Sequence, residues 1–340
     1  MPDSQELRAR VDRFPGKSVL VLGDLIADEY IYGKPSRVSR EAPVLILRYD
    51  SREVRLGGAA NASHNVHTLG ARVVPIGLLG DDAVGAELLA VFRSLGIPTE
   101  GIVVTGDRPT PMKTRIMAGG SQSTRQQVVR VDREPVEPIG PALESALLER
   151  LERWSAGAAD AVLLSDYGYG TVTQRLLGAV MEDFARRGRI VTADSRYDLL
   201  RFRGVTAAAP NEPEVEGLVG YPLDDESTVE KAGRQLLECL DARSLLVTRG
   251  SRGMALLERE GPSTFLPIHG SDEIADVTGA GDTVISTFTL ALASGAPPLQ
   301  AARLANVAGG LVVMKRGTAA VTRAELLRSL GSDGAPDHAS

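Results

Sequence analysis

Short apolar runs recur along this chain, and between them lie longer stretches with apolar residues every third or fourth position. The runs are Val19-Leu20-Val21-Leu22, Val73-Val74-Pro75-Ile76, Ala161-Val162-Leu163-Leu164, Ile190-Val191-Thr192-Ala193, Ala207-Ala208-Ala209 and Leu245-Leu246-Val247-Thr248. Runs of this length read as strands buried on both faces. The intervening stretches read as helices, two of them with glycine stops: Ala59 to Leu69 before Gly70, and Ala83 to Leu95 before Gly96. Further helices are expected over Pro141 to Ser155, Val172 to Arg187, Ser227 to Leu240 and Leu299 to Lys315. The alternation predicts an α/β fold, with a central, mostly parallel sheet covered by helices on both faces.

Two stretches break that rhythm. Tyr30-Ile31-Tyr32-Gly33 and Val44-Leu45-Ile46-Leu47 lie in the first, and Lys113 to Met117 and Gln127 to Val131 in the second, split by Gly119-Gly120. They predict hairpin strands inserted at about 29–54 and 110–133, forming a small β-sheet lid. A lid excludes water from chemistry beneath it.

The strands of the main sheet end in polar residues: Gly23-Asp24, Ser165-Asp166, Asp194, Pro210-Asn211 and Arg249-Gly250. Ligands of open α/β sheets bind outside the carboxyl ends of the strands, so these ends describe one polar crevice. Each alone would be explained as a turn former or helix cap.

The run Ile274 to Val284 reads as a short strand, a glycine turn at Gly279-Ala280-Gly281, and a buried helix whose first residue is the carboxylate Asp282. Backbone N–H groups of Gly279, Ala280 and Gly281 would converge there as an anion site favoured by the helix dipole. Asp282 beside such a site suits a base that deprotonates a hydroxyl as a phosphoryl group arrives. Its plain alternative is an N-cap. Gly57-Gly58-Ala59-Ala60-Asn61 places two glycines before a helix, where a ligand approaches backbone closely and Asn61 supplies a donor and an acceptor. Asp24 would accept from sugar hydroxyls. Asn211 and Glu214 would hold hydrated Mg²⁺ through waters, although the same spacing is a capping signature.

Composition narrows the class. The 340 residues are 43% hydrophobic and 24% charged, with a formal charge of −6 and no basic cluster interleaved with aromatics, which argues against nucleic acid. The single cysteine, Cys239, fits a reducing cytoplasm and is expected in the core beside Leu236, Leu237 and Leu240. Met1 to Lys17 carries no signal-peptide core, and no apolar run would span a bilayer, so no membrane partner is expected. Neither a Walker P-loop nor the protein-kinase motif set is present. His64 and His67 lie three apart on a predicted helix and read as solvated or core-edge residues.

Taken together, these runs resemble the ribokinase (PfkB) family of carbohydrate kinases over about residues 17 to 325. The anchor is Asp276 to Asp282, supported by Gly57 to Asn61 and by Asn211-x-x-Glu214. Within the family the chain is most similar to kinases for D-glycero-β-D-manno-heptose 7-phosphate, through Gly23 to Tyr30, Ser36 to Pro43, Arg125 to Asp132, Ala305 to Ala308 and Lys315 to Thr318. Many such relatives are fused to a nucleotidyltransferase. This chain resembles the stand-alone form: one ribokinase-like domain over 17–330 and a disordered tail over 331–340.

The resemblance implies ATP and Mg²⁺ as cofactors, a sugar-phosphate acceptor phosphorylated at its anomeric hydroxyl, and a homodimer through the lid. It implies Asp282 as general base and Gly279, Ala280 and Gly281 as the anion hole. Asp24, Gly57, Gly58 and Asn61 would face the sugar, with Lys113, Arg115, Asp166 and Arg196 on the same side. Thr248, Arg249, Gly250, Gly253 and Asn306 would line the nucleotide site, with Asn211 and Glu214 nearby and Glu214 holding the metal through water. Heptose kinases tend to carry Asp-Tyr-Ala-Lys-Gly where this chain has Asp166-Tyr167-Gly168-Tyr169-Gly170, and Asp-Pro-Lys where it has Asp194-Ser195-Arg196. A lysine is thus replaced by Tyr169, leaving Arg37, Lys113 and Arg115 of the lid as candidates to hold the sugar's phosphate. A kinase for a neutral sugar or nucleoside, and a non-catalytic sugar-phosphate sensor, are the alternatives.

Overall fold

Successive residues of the first expected strand enter different cores: Val19 and Val21 pack in one, Leu20 and Leu22 in the other. A strand's side chains alternate faces, so a continuous apolar run means a sheet covered on both sides. The computed structural model describes residues 4–119, 125–135, 137–157, 159–270, 276–315 and 317–332. The chain runs α1 (Ser4–Val11), β1 (Ser18–Gly23), β2 (Leu25–Val38), β3 (Leu45–Gly58), α2 (Ala59–Thr68), β4 (Arg72–Gly80), α3 (Ala83–Ser94) and β5 (Ile102–Thr105). It continues with β6 (Met112–Ala118), β7 (Gln126–Arg133), α4 (Pro141–Ser155), β8 (Ala161–Asp166), α5 (Gln174–Asp183), β9 (Ile190–Ser195), β10 (Ala207–Ala208) and α6 (Glu212–Val219). It closes with α7 (Glu226–Leu240), β11 (Ser244–Thr248), β12 (Met254–Glu258), β13 (Thr264–Leu266), α8 (Ala280–Ala293), α9 (Pro298–Val313) and α10 (Arg323–Ser332).

Among the described residues, nine strands form one sheet in the order β13-β12-β11-β10-β9-β8-β1-β4-β5. Its pairs are parallel except β11 with β12 and β12 with β13. α1, α2, α3, α8, α9 and α10 pack on one face, and α4, α5, α6 and α7 on the other. From β1 the chain first adds β4 and β5 on one side, then β8 to β11 on the other. The strand order therefore reverses between β1 and β8, where a crevice opens at the carboxyl ends.

The lid forms as expected, a second sheet of four strands in the order β3-β2-β6-β7. β2 leaves the end of β1 almost directly, and β3 returns at Gly58 to start α2. Register places Asp28 opposite Lys113 and Tyr30 opposite Arg115 on β6, so these alternate residues share one face.

Some details differ from the sequence reading. The helix expected over Val172 to Arg187 is α5 capped by Thr173, followed by a separate 3₁₀ turn at Ala185–Arg187. Cys239 is exposed rather than in the core, because Leu236, Leu237 and Leu240 form the buried stripe of α7 and position 239 falls off it. α10 runs through Ser332 into the stretch expected as a tail, and the rest of that stretch lies outside the described residues. So do Ile274 and Ala275, expected as a strand, and Gly120 of the expected lid turn. His64 and His67 are half-buried on α2, and burial lowers the His64 pKa to about 4. Among the described residues, no helix is long and apolar enough to cross a membrane.

Candidate active site at the start of helix α8

The glycine turn before α8 is held from below. Asp276 accepts the N–H of Thr278 at 2.9 Å and of Gly317 at 2.9 Å, tying the turn to the segment after α9. Burial opposes ionisation of Asp276, but these hydrogen bonds keep its carboxyl below the ordinary value. Gly279 follows with φ at 77°, and a Cβ there would lie 2.6 Å from the Asn61 amide nitrogen. Only glycine fits both the turn and that approach.

Asp282 is the third residue of α8, not its first, and it does not cap the helix. Its Oδ2 accepts from Asn61 Nδ2 at 2.8 Å and its Oδ1 from the Tyr167 hydroxyl at 3.0 Å. The Asn61 amide is itself oriented: Asn65 donates to Asn61 Oδ1 at 3.2 Å, and Thr283 donates to Asn65 Oδ1 at 2.9 Å. Burial lifts the Asp282 carboxyl from 3.8 to about 7, against the lowering by its two hydrogen bonds; Asp28 raises it and Lys113 lowers it. A carboxyl poised near neutrality is suited to proton transfer. Of the three N–H groups expected to converge, that of Ala280 turns back to the Val277 carbonyl at 3.2 Å. Those of Gly279 and Gly281 have no acceptor among the described residues.

Three cavities meet at this turn. One lies between lid and scaffold, lined by Asp28, Lys113, Arg115, Arg196, Gly279 and Asp282 with others. The second is mostly apolar, between β12, α8 and α9, and includes Thr248, Gly250, Gly253, Gly281, Val284 and Asn306. The third is acidic, with Asp166, Asp194, Asn211, Glu214 and Gly281 on its walls. Residues 279 to 282 thus face all three.

In the lid cavity, Arg115 is ion-paired with Asp28 at 2.5 Å. Lys113 is buried and pairs with no carboxylate among the described residues; its ammonium lies 4.9 Å from the centre of the Tyr167 ring. Burial, and next the charge of Arg196, push the Lys113 pKa down. Gly58 lines this cavity, whereas Gly57 backs it, since a Cβ there would lie 2.7 Å from the Asp28 carboxylate.

Several expected site residues serve the scaffold instead. Asp24 does not face the lid cavity: its carboxylate accepts the N–H groups of Tyr167, Tyr169 and Thr171 at 2.8, 3.1 and 3.2 Å, and burial raises its pKa. Asn61 is fully buried, its amide donating to Asp282 rather than to a sugar. Asp166 sits on the acidic cavity and pairs with Arg201 at 2.9 Å. The Arg249 guanidinium turns from the apolar cavity to a buried pair with Glu212 at 3.0 Å and lies over Phe265. Asn211 and Glu214 form the capping box of α6, so that reading of their spacing is correct, and Glu214 also lines the acidic cavity. Tyr169 bonds to Glu134 at 2.8 Å, and Arg37 is exposed toward the lid's far end.

Sequence reading passed over Tyr167, Asp28 and Thr318 as site residues. Tyr167 directly follows a strand end already noted, and Asp28 lies within the Gly23 to Tyr30 run, so both carried a positional signal. Thr318 closes the Lys315 to Thr318 run, but its donation to Asp28 at 3.2 Å spans 290 residues of chain and has no local signature.

A family model described as pfkB family carbohydrate kinase matches residues 17–324. The bifunctional protein HldE of Geobacter sulfurreducens is 40% identical over 316 residues, 92% of this chain and 63% of that protein. That of Gluconacetobacter diazotrophicus is 38% identical over 323 residues, 95% of this chain and 65% of that protein. The chain therefore spans somewhat less than two thirds of these relatives. Among solved structures, Arabidopsis thaliana ribokinase complexed with ribose and ATP superposes with a TM-score of 0.70 at 20% identity, covering 92% of this chain and 98% of that one. Escherichia coli phosphofructokinase-2 in complex with substrates and products gives 0.73 at 16% identity, covering 93% and 98%. The fold is ribokinase-like, and the chain belongs to the pfkB family of carbohydrate kinases and is a sugar kinase.

Proposed function

We propose that the enzyme transfers the γ-phosphoryl group of ATP to the anomeric hydroxyl of D-glycero-β-D-manno-heptose 7-phosphate or a close relative. The observation that carries this reading is Asp282, a carboxylate poised near neutrality on the basic lid cavity, with the apolar cavity on the other side of the same glycine turn. The acceptor sugar would lie in the lid cavity, its phosphate drawn to Lys113 and Arg196. The adenine would enter the apolar cavity beside Gly250, Gly253 and Asn306. Asp282 takes the hydroxyl proton, and the N–H groups of Gly279 and Gly281, with the α8 dipole, hold the incoming phosphoryl oxygens. The lid keeps water out.

The acidic cavity fits Mg²⁺. Burial, with the charges of Asp282, Glu214 and Asp166, raises the Asp194 pKa well above its ordinary value, and Glu214 is raised by burial. A bound cation would relieve that repulsion, and Asp194 and Glu214 are the residues to hold it. Among the described residues no three His, Cys, Asp or Glu side chains are set to cage a metal. This suits an ion that keeps water and phosphate ligands and supplies charge neutralisation. The outer lid exposes Val38, Leu45, Tyr49 and Val129, which supports a homodimer formed there, to be checked by sedimentation.

The test is a sugar panel with ATP and Mg²⁺, read by product mass. It compares the heptose 7-phosphate with ribose, fructose and adenosine. Strong preference for an unphosphorylated acceptor would remove the heptose reading, and no sugar-dependent ATP consumption would remove the kinase reading.

A further inference from the structure

A carboxylate held by one donor swings about its last torsion, whereas donors on both oxygens fix its plane. In Asp282 the Asn61 amide holds Oδ2 and the Tyr167 hydroxyl holds Oδ1. We infer that Tyr167 is a positioning residue for the base: its phenol fixes the plane of the Asp282 carboxylate toward the lid cavity. This rests on Asp282 being the base.

Tyr167 is built to keep that position. It leaves the end of β8 at the point where strand order reverses, and its backbone N–H is anchored on the buried Asp24 carboxylate at 2.8 Å. Asp24 also gathers the N–H groups of Tyr169 and Thr171, so three backbone groups of the loop after β8 are held by one carboxylate. The ring is covered from the lid by the Lys113 ammonium, 4.9 Å from its centre. Backbone and ring are thus fixed by separate elements, which leaves the hydroxyl little freedom. Burial, and then the Asp282 charge, hold the phenol's pKa well above its ordinary value, so the hydroxyl stays a donor throughout the working range. Asp24 therefore acts through Tyr167 and not on the substrate.

The experiment is a double-mutant cycle in the full chain, assayed with ATP, Mg²⁺ and D-glycero-β-D-manno-heptose 7-phosphate. Turnover is normalised to sites titrated with a non-hydrolysable ATP analogue, so unfolded protein does not count. Tyr167→Phe, which keeps the ring under Lys113, should lower kcat about tenfold with KM for ATP unchanged. In an Asp282→Asn background the same substitution should cost nothing further, because the group it acts through is gone. An equal factor in both backgrounds would show that the hydroxyl acts independently of Asp282, and no loss, or a loss confined to KM, would show that it does not position the base; either result would overturn the inference while leaving the base in place. Wild-type turnover by Asp282→Asn alone would overturn the base assignment and this inference together.

Discussion

In β1 every residue from Val19 to Gly23 is buried, whereas in β7 every residue except Asp132 is exposed. The scaffold strand gives both faces to the two cores, so only its end is free for chemistry. The lid strands have a free face, and β6 uses alternate positions to carry Lys113 and Arg115 into the cavity. Turnover should therefore depend on groups at the scaffold's strand and helix ends, and choice of acceptor on the lid.

The sharpest break between the two regions is Asp282→Asn. It should lower kcat by roughly 10²–10⁴ with the fold intact, and near-normal rates in purified variant would end the division proposed here. In the wild type the rate should fall about tenfold per pH unit below 7, since the carboxyl with pKa about 7 must be ionised to act. The same group works against stability. Its folded pKa is raised above the ordinary 3.8, so its contribution is full below about 4 and is lost as pH rises through about 7. Asp282→Asn, uncharged throughout, should raise the melting temperature at pH 8 more than at pH 5, and a fall at pH 8 would contradict the burial cost.

Lys113→Met tests the lid half. It should lower kcat/KM for a phosphorylated acceptor by about 10–100-fold while KM for ATP stays unchanged. A change in ATP affinity instead would move Lys113 to the other cavity. Arg249→Ala should destabilise the fold by about 2–3 kcal/mol, below the usual cost of breaking a buried pair because Arg252 still reaches Glu212 at 2.6 Å. Its KM for ATP should remain within about threefold, as measured beside chemical denaturation. The smallest effect belongs to Arg37→Ala: kcat/KM within about twofold, since the lid exposes that side chain away from the cavity.

The two sheets were legible in the sequence to different depths. The strands at 19, 73, 161, 190 and 245 announced themselves because burial on both faces demands unbroken apolar runs. Short edge strands such as β5 and β13 lack that demand and were silent, as was α1, which buries only Leu7 and Val11. At the site, sequence separated strand ends from strand interiors but could not assign partners. Asp24 and Asp28 are the same residue type in one run, yet the first binds backbone at 167–171 and the second faces the cavity beside Arg115. The resemblance implied Arg249 at the nucleotide, and its turn does line the apolar cavity, through Gly250 and Gly253. Its guanidinium went to Glu212, a choice made by packing between β11 and α6.

One chain of contacts has a reach that its position conceals. Thr283 and Asn65 touch none of the three cavities, yet between them they decide which end of the Asn61 side chain, oxygen or nitrogen, is turned toward Asp282. Were that amide reversed, an acceptor would confront an anion and the Asp282 carboxylate would be repelled instead of steadied. A search for tolerated changes that scanned only the cavity walls would pass over both residues, although the donor that Asp282 meets is set from there.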